Sequence, residues 1–384
     1  MTIQKPLAQF RGEFPTASLN ARRIAAALEA PGCHRRTVLE AGIVNMEKLG
    51  ALVTGAEPDR QSPFAIARGN QFEAQITDHG MATVLALARK HLGLDIPEAR
   101  EKDLSAASVR LEFPGVKQIN EVRARLTRQY VEQMLTKPTC AINLLRHAMT
   151  KLDFGGEIAY LEQDVLAFTV KGRIYVVEIK SYPMIDGRAD PTKASASVRQ
   201  TAVYVLSLQE LAVSIGASPR LVDTNVMIVL PENLSFRATA TVVDTEMQVR
   251  RLRRQLAEVP HAATILAGLP SETALPPLPD MQNKEESAQA RDTACEALAQ
   301  ITPRFSEGCV PCPLFRFCRQ EAENQQTVSR LGTAVAGACG SITTIRAALD
   351  FATGRRLPAN AGESAAAELL SRAAAAEAMV IGKR

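Results

Sequence analysis

Apolar residues recur at helical spacing in three long stretches of the first half of the chain. These stretches cover residues 18–30, 63–92 and 117–150. In the second stretch the apolar residues that fall on one predicted helical face are Phe64, Ala67, Phe72 and Ile76. Ser18 stands where a cap of the first helix is expected, and Pro31 stops that helix. The pattern therefore predicts three helices in this half of the chain.

The period of the pattern changes near residue 158. Two runs of strand character, IAYLEQDVLAFTV and RIYVVEIKSY, are joined by a turn at Lys171-Gly172 and predict a hairpin. A helix is predicted over about 193–215, and two further strands follow it, NVMIVL and ATATVVD. The basic segment TEMQVRRLRRQLAEV predicts another helix, whereas the proline-rich LPSETALPPLPD predicts a loop. Helices around a set of strands predict a mixed α/β core.

Five segments follow from these patterns. They are an N-terminal helical part over 1–92, a helical insertion over 93–150, a core of strands and helices over 151–260, a linker with a cysteine-rich segment over 261–325, and a helical C-terminal tail over 326–384. A chain of 384 residues, 46% of them apolar and 22% charged, is long enough for one elaborated domain or two smaller ones.

Composition bears on location and partners. No run of eighteen apolar residues occurs, and the opening segment MTIQKPLAQFRGEF lacks an apolar signal region. We therefore expect a cytoplasmic protein without membrane contact. The net charge of +4 permits a polyanionic partner without requiring one.

Cysteine spacing predicts a ligand set for a metal. The chain has seven cysteines, an odd number that favours thiols or metal ligation over a disulfide framework when no export signal is present. Three of them form a C-x2-C-x5-C array, namely Cys309, Cys312 and Cys318. A four-ligand site needs one more residue, for which Cys33 and Cys295 are the candidates. Zinc, with His34 in place of one thiol, is an alternative occupant.

The strand in GRIYVVEIKSY carries two charges at its end. Glu178 and Lys180 stand two residues apart and so project to the same side. One interpretation is an exposed ion pair at a sheet edge. Asp164, however, precedes Glu178 with thirteen residues and the hairpin turn between them, which brings both carboxylates to one end of adjacent strands. Converging carboxylates repel unless a cation lies between them, and oxygen ligands suit Mg²⁺ or Mn²⁺. With Lys180 to orient or deprotonate a water, the second interpretation is a phosphodiesterase centre.

The order of these motifs resembles the RecB-type branch of the PD-(D/E)xK nuclease superfamily. Besides D-x13-E-x-K, the resemblance rests on Gly69 and Glu73 in RGNQFEAQI and on Gln200 and Tyr204 in RQTAVY. It covers residues 18–92 and 155–322, and leaves the insertion and the tail uncovered. It implies an α/β fold with a restriction-endonuclease-like mixed sheet core flanked by helices.

The resemblance also implies roles for individual residues. Asp164, Glu178 and Glu73 would hold the divalent metal, joined by the Ile179 carbonyl, and Lys180 would complete the catalytic set. Gln200 and Tyr204 would contact DNA or support the active site. Nearness in the sequence to the predicted sites makes five basic residues candidates for DNA contacts: Arg35, Arg36, Arg188, Lys193 and Arg199. The four arginines of the basic helix, Arg250, Arg251, Arg253 and Arg254, are either solvated or contact phosphate.

The cysteine layout resembles the iron–sulfur subgroup of these nucleases, with one cysteine before the core and three after it. That subgroup includes the nuclease domain of the AddAB repair enzyme and the CRISPR adaptation exonucleases. The resemblance implies that Cys33, Cys309, Cys312 and Cys318 hold a structural 4Fe-4S cluster. Such a cluster would join the N-terminal and C-terminal segments.

A function follows from these resemblances as an expectation. The chain would be a Mg²⁺- or Mn²⁺-dependent deoxyribonuclease, an exonuclease that processes single strands or DNA ends in a phage-defence or DNA-repair system. Its expected partners are DNA, a helicase or another defence-system protein, and a second copy of the chain. Two alternatives belong to other classes: a non-catalytic DNA-end-binding or scaffold subunit, and an electron-transfer iron–sulfur protein.

Overall fold

The structure is a computed structural model that describes residues 4–56, 62–96, 98–136, 142–163, 166–170, 172–325 and 327–381. The chain divides into two compact units. The first consists of Met1–Gln4, Ser18–Leu28 and Asp59–His261, and the second of Lys5–Ala17, Glu29–Pro58 and Ala262–Arg384. All the strands named below belong to the first unit.

The helices in the described ranges are α1 (Lys5–Arg11), α2 (Ala21–Leu28), α3 (His34–Ala41), α4 (Met46–Thr54), α5 (Pro63–Leu92), α6 (Ala106–Glu112), α7 (Ile119–Thr136), α8 (Pro191–Ser214), α9 (Glu246–Ala257), α10 (Ala262–Ala267), α11 (Lys284–Ala299), α12 (Phe315–Gln325), α13 (Thr333–Cys339), α14 (Ile345–Ala352) and α15 (Ala361–Ile381). Short 3-10 helices cover Pro219–Leu221, Glu307–Cys309 and Val328–Leu331. None of the helices in these ranges is long and apolar enough to cross a membrane.

The strands are β1 (Glu101–Asp103), β2 (Leu144–Arg146), β3 (Ala148–Phe154), β4 (Glu157–Gln163), β5 (Leu166–Val170), β6 (Arg173–Ile179), β7 (Met184–Ile185), β8 (Arg188–Ala189), β9 (Asn225–Pro231) and β10 (Ala238–Asp244). Six of them form a mixed sheet in the order β1-β2-β5-β6-β9-β10. Within it β6 runs antiparallel to β5 and parallel to β9, so β6 is an interior strand. The pairs β3-β4 and β7-β8 form separate antiparallel hairpins.

The predicted mixed α/β architecture is confirmed, and so are most elements of the core. The helix α8, the strands β9 and β10, and the basic helix α9 lie where the pattern indicates. The predicted hairpin is confirmed for β5 and β6, but its first run, 158–170, is divided into two strands, of which β4 pairs with β3 and β5 pairs with β6. Two local features explain where α8 begins. Pro191 occupies its first turn, where a missing N–H costs nothing, and the Asp190 side chain accepts a bond from the Lys193 N–H at 2.9 Å.

The predicted helix over 117–150 is confirmed as α7 up to Thr136 and is wrong over 144–150. Residues 144–146 and 148–154 form β2 and β3 instead. In β3 the buried residues Leu152 and Phe154 alternate with the exposed Lys151 and Asp153. That alternation has the period of a strand, and it is the signal that the helical interpretation passed over.

Two details of the N-terminal helices also differ from the prediction. The helix predicted over 18–30 is α2, which begins at Ala21. Its cap is Asn20 rather than Ser18, because the Asn20 side chain accepts a hydrogen bond from the Arg23 N–H at 3.0 Å. On α5, Phe72 is only 1% exposed, whereas Phe64 is 86% exposed and lies outside the buried face. The apolar face of α5 is therefore shorter than the spacing of its apolar residues indicates.

The core of the first unit fixes α5 against the sheet. Phe72 and Ile76 of α5 pack in one buried cluster with Val177 and Ile179 of β6 and with Val229 of β9. Burial of such side chains stabilises the contact by about 1.5–3 kcal/mol each. This packing holds the first half of α5 beside the carboxyl end of β6.

The second unit joins distant parts of the chain through close backbone contacts. A Cβ atom on Gly50 of α4 would lie 2.6 Å from the Pro313 carbonyl oxygen, and one on Gly308 would lie 2.6 Å from the Glu29 Cβ. The segment with three cysteines is thus pressed against α4 and against the residues before α3. The tail forms a further small core, in which Phe351 of α14 packs with buried alanines of α15 and with Ala322 of α12.

Candidate functional site

The carboxyl end of β6 carries a buried ion pair. Glu178 is 0% exposed, and its Oε1 atom lies 2.6 Å from Nζ of Lys180, whose side chain is 21% exposed. The interpretation of these residues as an exposed pair at a sheet edge is wrong, because β6 lies between β5 and β9. A carboxylate in the interior is costly unless it is paired, and residues kept there at such a cost are often functional.

Lys180 is also connected to α8 through a chain of hydrogen bonds. Its Nζ donates to Gln200 Oε1 at 2.9 Å, and Gln200 Nε2 donates to the Tyr204 hydroxyl at 2.9 Å. Gln200 and Tyr204 are four residues apart and so share one face of the helix. Tyr204 is only 2% exposed, so this series of hydrogen bonds ends on a side chain in the interior. The lysine is therefore held from two sides, by a carboxylate and by an amide.

Tyr182 adds a second contact between the strand end and α8. Its hydroxyl donates to Ser197 Oγ at 3.0 Å, and Ser197 in turn donates to the Lys193 carbonyl. The pKa of Tyr182 is raised overall because the side chain is buried, and the nearby Lys180 ammonium offsets only part of that increase. Ser197 is a buried partner that the sequence did not single out, because a serine inside a helix gives no pattern of its own.

A close approach of α5 to the end of β6 explains why a glycine occupies position 69. A Cβ atom at this position would lie 3.2 Å from Cβ and 3.3 Å from Oγ of Ser181, the residue after Lys180. Glu73 follows one helical turn later and lines an open cleft of about 720 Å³, together with Thr77 and Arg146. Gly69 therefore lets the helix that carries Glu73 approach the end of β6.

Gly69→Leu is expected to force α5 away from Ser181. We expect cleavage activity to fall by about 10²-fold, the effect of misplacing a catalytic group by about 1 Å, and stability to fall by about 1–3 kcal/mol from overpacking. Gly337→Leu is the matched control, because this helical glycine has nothing within 4 Å of its Cβ position. Rates and melting temperatures of both variants check the prediction. Equal rates in the two variants would show that the close approach has no role in activity.

The remaining predicted residues of this site are distributed as follows. Asp164 lies outside the described residues; Leu166, two residues later, pairs with Val177, the neighbour of Glu178. Ile179 continues β6, and its side chain packs in the core. Lys193 and Arg199 lie on the first turns of α8, with Arg199 Nη1 donating to Ser195 Oγ at 2.7 Å. In the ranges that the structure describes, no set of three or more His, Cys, Asp or Glu side chains is arranged to hold a metal ion.

Four cysteines of the second unit interact electrostatically with one another in pairs, and we call them the thiol group: Cys33, Cys309, Cys312 and Cys318. These thiols are among the described side chains of which no set of three or more is arranged to hold a metal ion. Burial raises the pKa of Cys318 to about 12, and the neighbouring thiols of Cys312 and Cys33 add to the increase. Burial likewise raises the pKa of Cys312, with smaller contributions from Cys33 and Cys309. Cys33, at the start of α3, therefore lies within electrostatic range of Cys312 and Cys318.

Cys295 has different neighbours. Burial raises its pKa, and the charged groups that act on it are Arg291, Asp292, Arg35 and Glu321, with no cysteine among them. Of the two candidates for the fourth thiol, Cys33 is therefore the one that the fold places beside Cys312 and Cys318.

Arg35 is buried beside the thiol group. It is 1% exposed, donates from Nη1 to Cys318 Sγ at 3.0 Å and from Nη2 to Glu321 at 2.9 Å, and stacks on Phe317 at 5.2 Å. Arg36 is 7% exposed and donates to the Gly308 carbonyl at 3.2 Å. The expectation that these two arginines contact DNA is wrong, since both guanidinium groups are directed into the second unit.

Comparison with known proteins adds little to this geometry. No family model and no curated protein matches the chain. One match is the crystal structure of SSO0001, which covers 51% of this chain and 87% of its own, with 12% identity and a TM-score of 0.17. A TM-score this low does not establish a shared fold.

Proposed function

We propose that the chain is a Mg²⁺- or Mn²⁺-dependent DNA nuclease, with a restriction-endonuclease-like core in the first unit and a structural 4Fe-4S cluster in the second. The observation that carries the proposal is the buried Glu178 paired with Lys180 at the end of an interior strand. A structural pair at this position would be replaceable by apolar residues at little cost. A carboxylate and an ammonium held side by side at the end of a strand instead suit the hydrolysis of a charged phosphodiester.

The donor chemistry around β6 fits a hard divalent cation. Glu178 and Glu73 supply carboxylate oxygens, and Asp164 and the Ile179 carbonyl complete the proposed ligand set. Oxygen ligands of this kind suit Mg²⁺ and Mn²⁺. Such an ion, when bound, polarises the phosphate and lowers the pKa of a coordinated water.

Lys180 acts in this proposal as a hydrogen-bond donor. Its ammonium group is paired with Glu178 and held in direction by Gln200, so an N–H remains to be aimed at the attacking water or at a phosphate oxygen. Charge that develops on the phosphate in the transition state is stabilised by a donor that is already in place. Tyr204 fixes Gln200 and is therefore a positioning residue.

The thiol group suits an iron–sulfur cluster in its donor chemistry. Four neighbouring thiols would repel one another as thiolates unless positive charge compensates them, and the buried Arg35 provides one such charge at Cys318. A bound cluster would supply the rest and tie α3 to the C-terminal array, which closes a very long loop. The role that we assign to it is structural. The expected cytoplasmic setting, in DNA repair or phage defence with helicase or other protein partners, belongs to this proposal as well.

A cleavage assay tests the proposed function. Purified protein is incubated with end-labelled single-stranded and double-stranded DNA, linear and circular, in Mg²⁺, in Mn²⁺ and in EDTA. We expect cleavage with either metal and none in EDTA, and resistance of circular DNA would indicate an exonuclease. Metal-independent binding without cleavage of any of these substrates would favour the non-catalytic DNA-end-binding subunit instead.

A further inference from the structure

A second charged depression lies in the first unit at the opposite end of β6, and we call it the arginine depression. It is an open cleft that four segments line: the start of β6, α8 through Gln209, residues 219–225 from the 3-10 helix to the start of β9, and α9. Its charged residues are Arg173, Arg220, Arg250, Arg253, Asp223 and Glu246. Arg173 and Glu178 are five residues apart on β6, so the depression lies about 16 Å from the candidate active site at the usual rise of a strand.

The positive charge of the arginine depression is only partly neutralised. Arg173 pairs with Asp223 at 2.8 Å, and Arg250 pairs with Glu246. Arg253 donates to the neutral Gln209 at 2.8 Å. Within the part of the chain that the structure describes, neither Arg253 nor Arg220 forms an ion pair within 4 Å, although the Glu210 carboxylate interacts electrostatically with Arg253. Four arginines against two carboxylates leave a net charge of +2 in one cleft.

Guanidinium groups that converge from several segments recognise phosphate, because their planar N–H groups match its oxygens in pairs. The positive surface also continues past the cleft, since Arg251 and Arg254 of α9 are exposed on either side of Arg253. An isolated phosphate would use only the cleft, whereas a chain of phosphates would use both the cleft and the outer face of α9.

We propose that the arginine depression binds backbone phosphates of a nucleic acid, at a distance from the site of hydrolysis. The inference rests on the proposed function in naming DNA as the substrate whose backbone reaches this surface. It adds a second contact that would hold the strand independently of the metal. Arg220 and Arg253 supply the two guanidinium groups that are not paired with a carboxylate of the cleft.

The salt dependence of DNA binding tests the inference. Binding of a fluorescent oligonucleotide is titrated in EDTA, where no cleavage is expected, at several KCl concentrations. Each phosphate contact contributes about 0.7 to the slope of log K against log salt for single strands and about 0.9 for duplex. Arg220→Gln/Arg253→Gln is expected to reduce the slope by about 1.4–1.8, and Arg220→Gln alone by about half as much.

The control is Arg346→Gln/Arg372→Gln, which removes the same two charges from exposed positions on α14 and α15. An unchanged slope in the double variant, or an equal reduction in the control, would overturn the inference. A second result would also overturn the inference: ATP or inorganic phosphate raises the melting temperature of the wild-type chain but not of Arg220→Gln, while the salt slope of DNA binding is unchanged in the double variant. The arginine depression would then be assigned to a small phosphate ligand. If the wild-type chain binds DNA with the expected slopes but cleaves none, the proposed function fails and the arginine depression stands.

Discussion

Lys180→Ala is expected to lower the rate of DNA cleavage by about 10²–10³-fold, the effect of removing one preorganised donor from a transition state. DNA binding should persist, because the lysine acts chiefly where charge develops during the reaction. Glu178 would lose its ammonium partner in the interior, so some loss of stability is expected as well. Single-turnover rates, measured below the melting temperature of every variant, separate the two effects.

Two further variants sharpen this prediction. Lys180→Gln keeps a donor beside Glu178 but lacks the charge, and we expect it to remain slow while recovering stability. Lys151→Ala is the matched control, since Lys151 also pairs with a glutamate, Glu121, at 2.7 Å but lies away from β6. A Lys180→Ala protein that cleaves at the rate of Lys151→Ala would remove the catalytic role and leave a DNA-binding subunit as the better proposal.

Cys33→Ala is expected to abolish the cluster, with iron content falling from about four atoms per chain to nearly none and the brown colour lost. The reason is its position: Cys33 lies at the start of α3, while the other thiols follow about 280 residues later. Loss of this long-range tie should lower the melting temperature of the second unit, because binding of such a group is coupled to folding. Iron analysis, absorbance spectra of anaerobically purified protein and thermal unfolding check this.

Cys339→Ala is the control for that experiment. Cys339 is also buried, at 2% exposed against 9% for Cys33, but it packs in the apolar core of the tail. The Cys339→Ala protein should keep both its iron and its colour, and so should the Cys295→Ala protein. Wild-type protein that contains one zinc and no iron would contradict the cluster, and loss of iron in Cys295→Ala with full iron in Cys33→Ala would move the fourth ligand.

Local pattern was sufficient to predict most elements of the core. Runs of strand character on either side of Lys171-Gly172 predicted the hairpin of β5 and β6, and the predicted helix over about 193–215 corresponds to α8. The same reasoning failed at β3, where the alternation around Leu152 stood next to a helix and was absorbed into it. It also failed for Phe64, because helical spacing does not tell where the neighbouring sheet ends.

The residues of the candidate site were predicted from the sequence, but their burial and their tertiary contacts were not. That Glu178 is fully buried depends on β6 having neighbours on both sides, and one of them, β9, lies about fifty residues later in the chain. Arg35 illustrates the same limit, since its position next to a cysteine suggested a DNA contact whereas tertiary packing turned it toward Cys318. The resemblance alone named Cys33 rather than Cys295 as the fourth thiol, and the electrostatic interaction of Cys33 with Cys318 agrees with that prediction. Contacts between distant segments leave no periodic signal in the sequence.

The Mn²⁺ dependence of cleavage, compared between the wild-type chain and Glu178→Gln, tests most directly whether the end of β6 is a metal-dependent nuclease centre. The substitution keeps the size of the buried side chain and removes the charge that would bind the cation. We expect the wild-type rate to rise with Mn²⁺ to saturation, and Glu178→Gln to cleave at least about 10²-fold more slowly at every Mn²⁺ concentration while it still binds DNA. Equal Mn²⁺ dependence and equal rates in the two proteins would contradict this assignment of the active site.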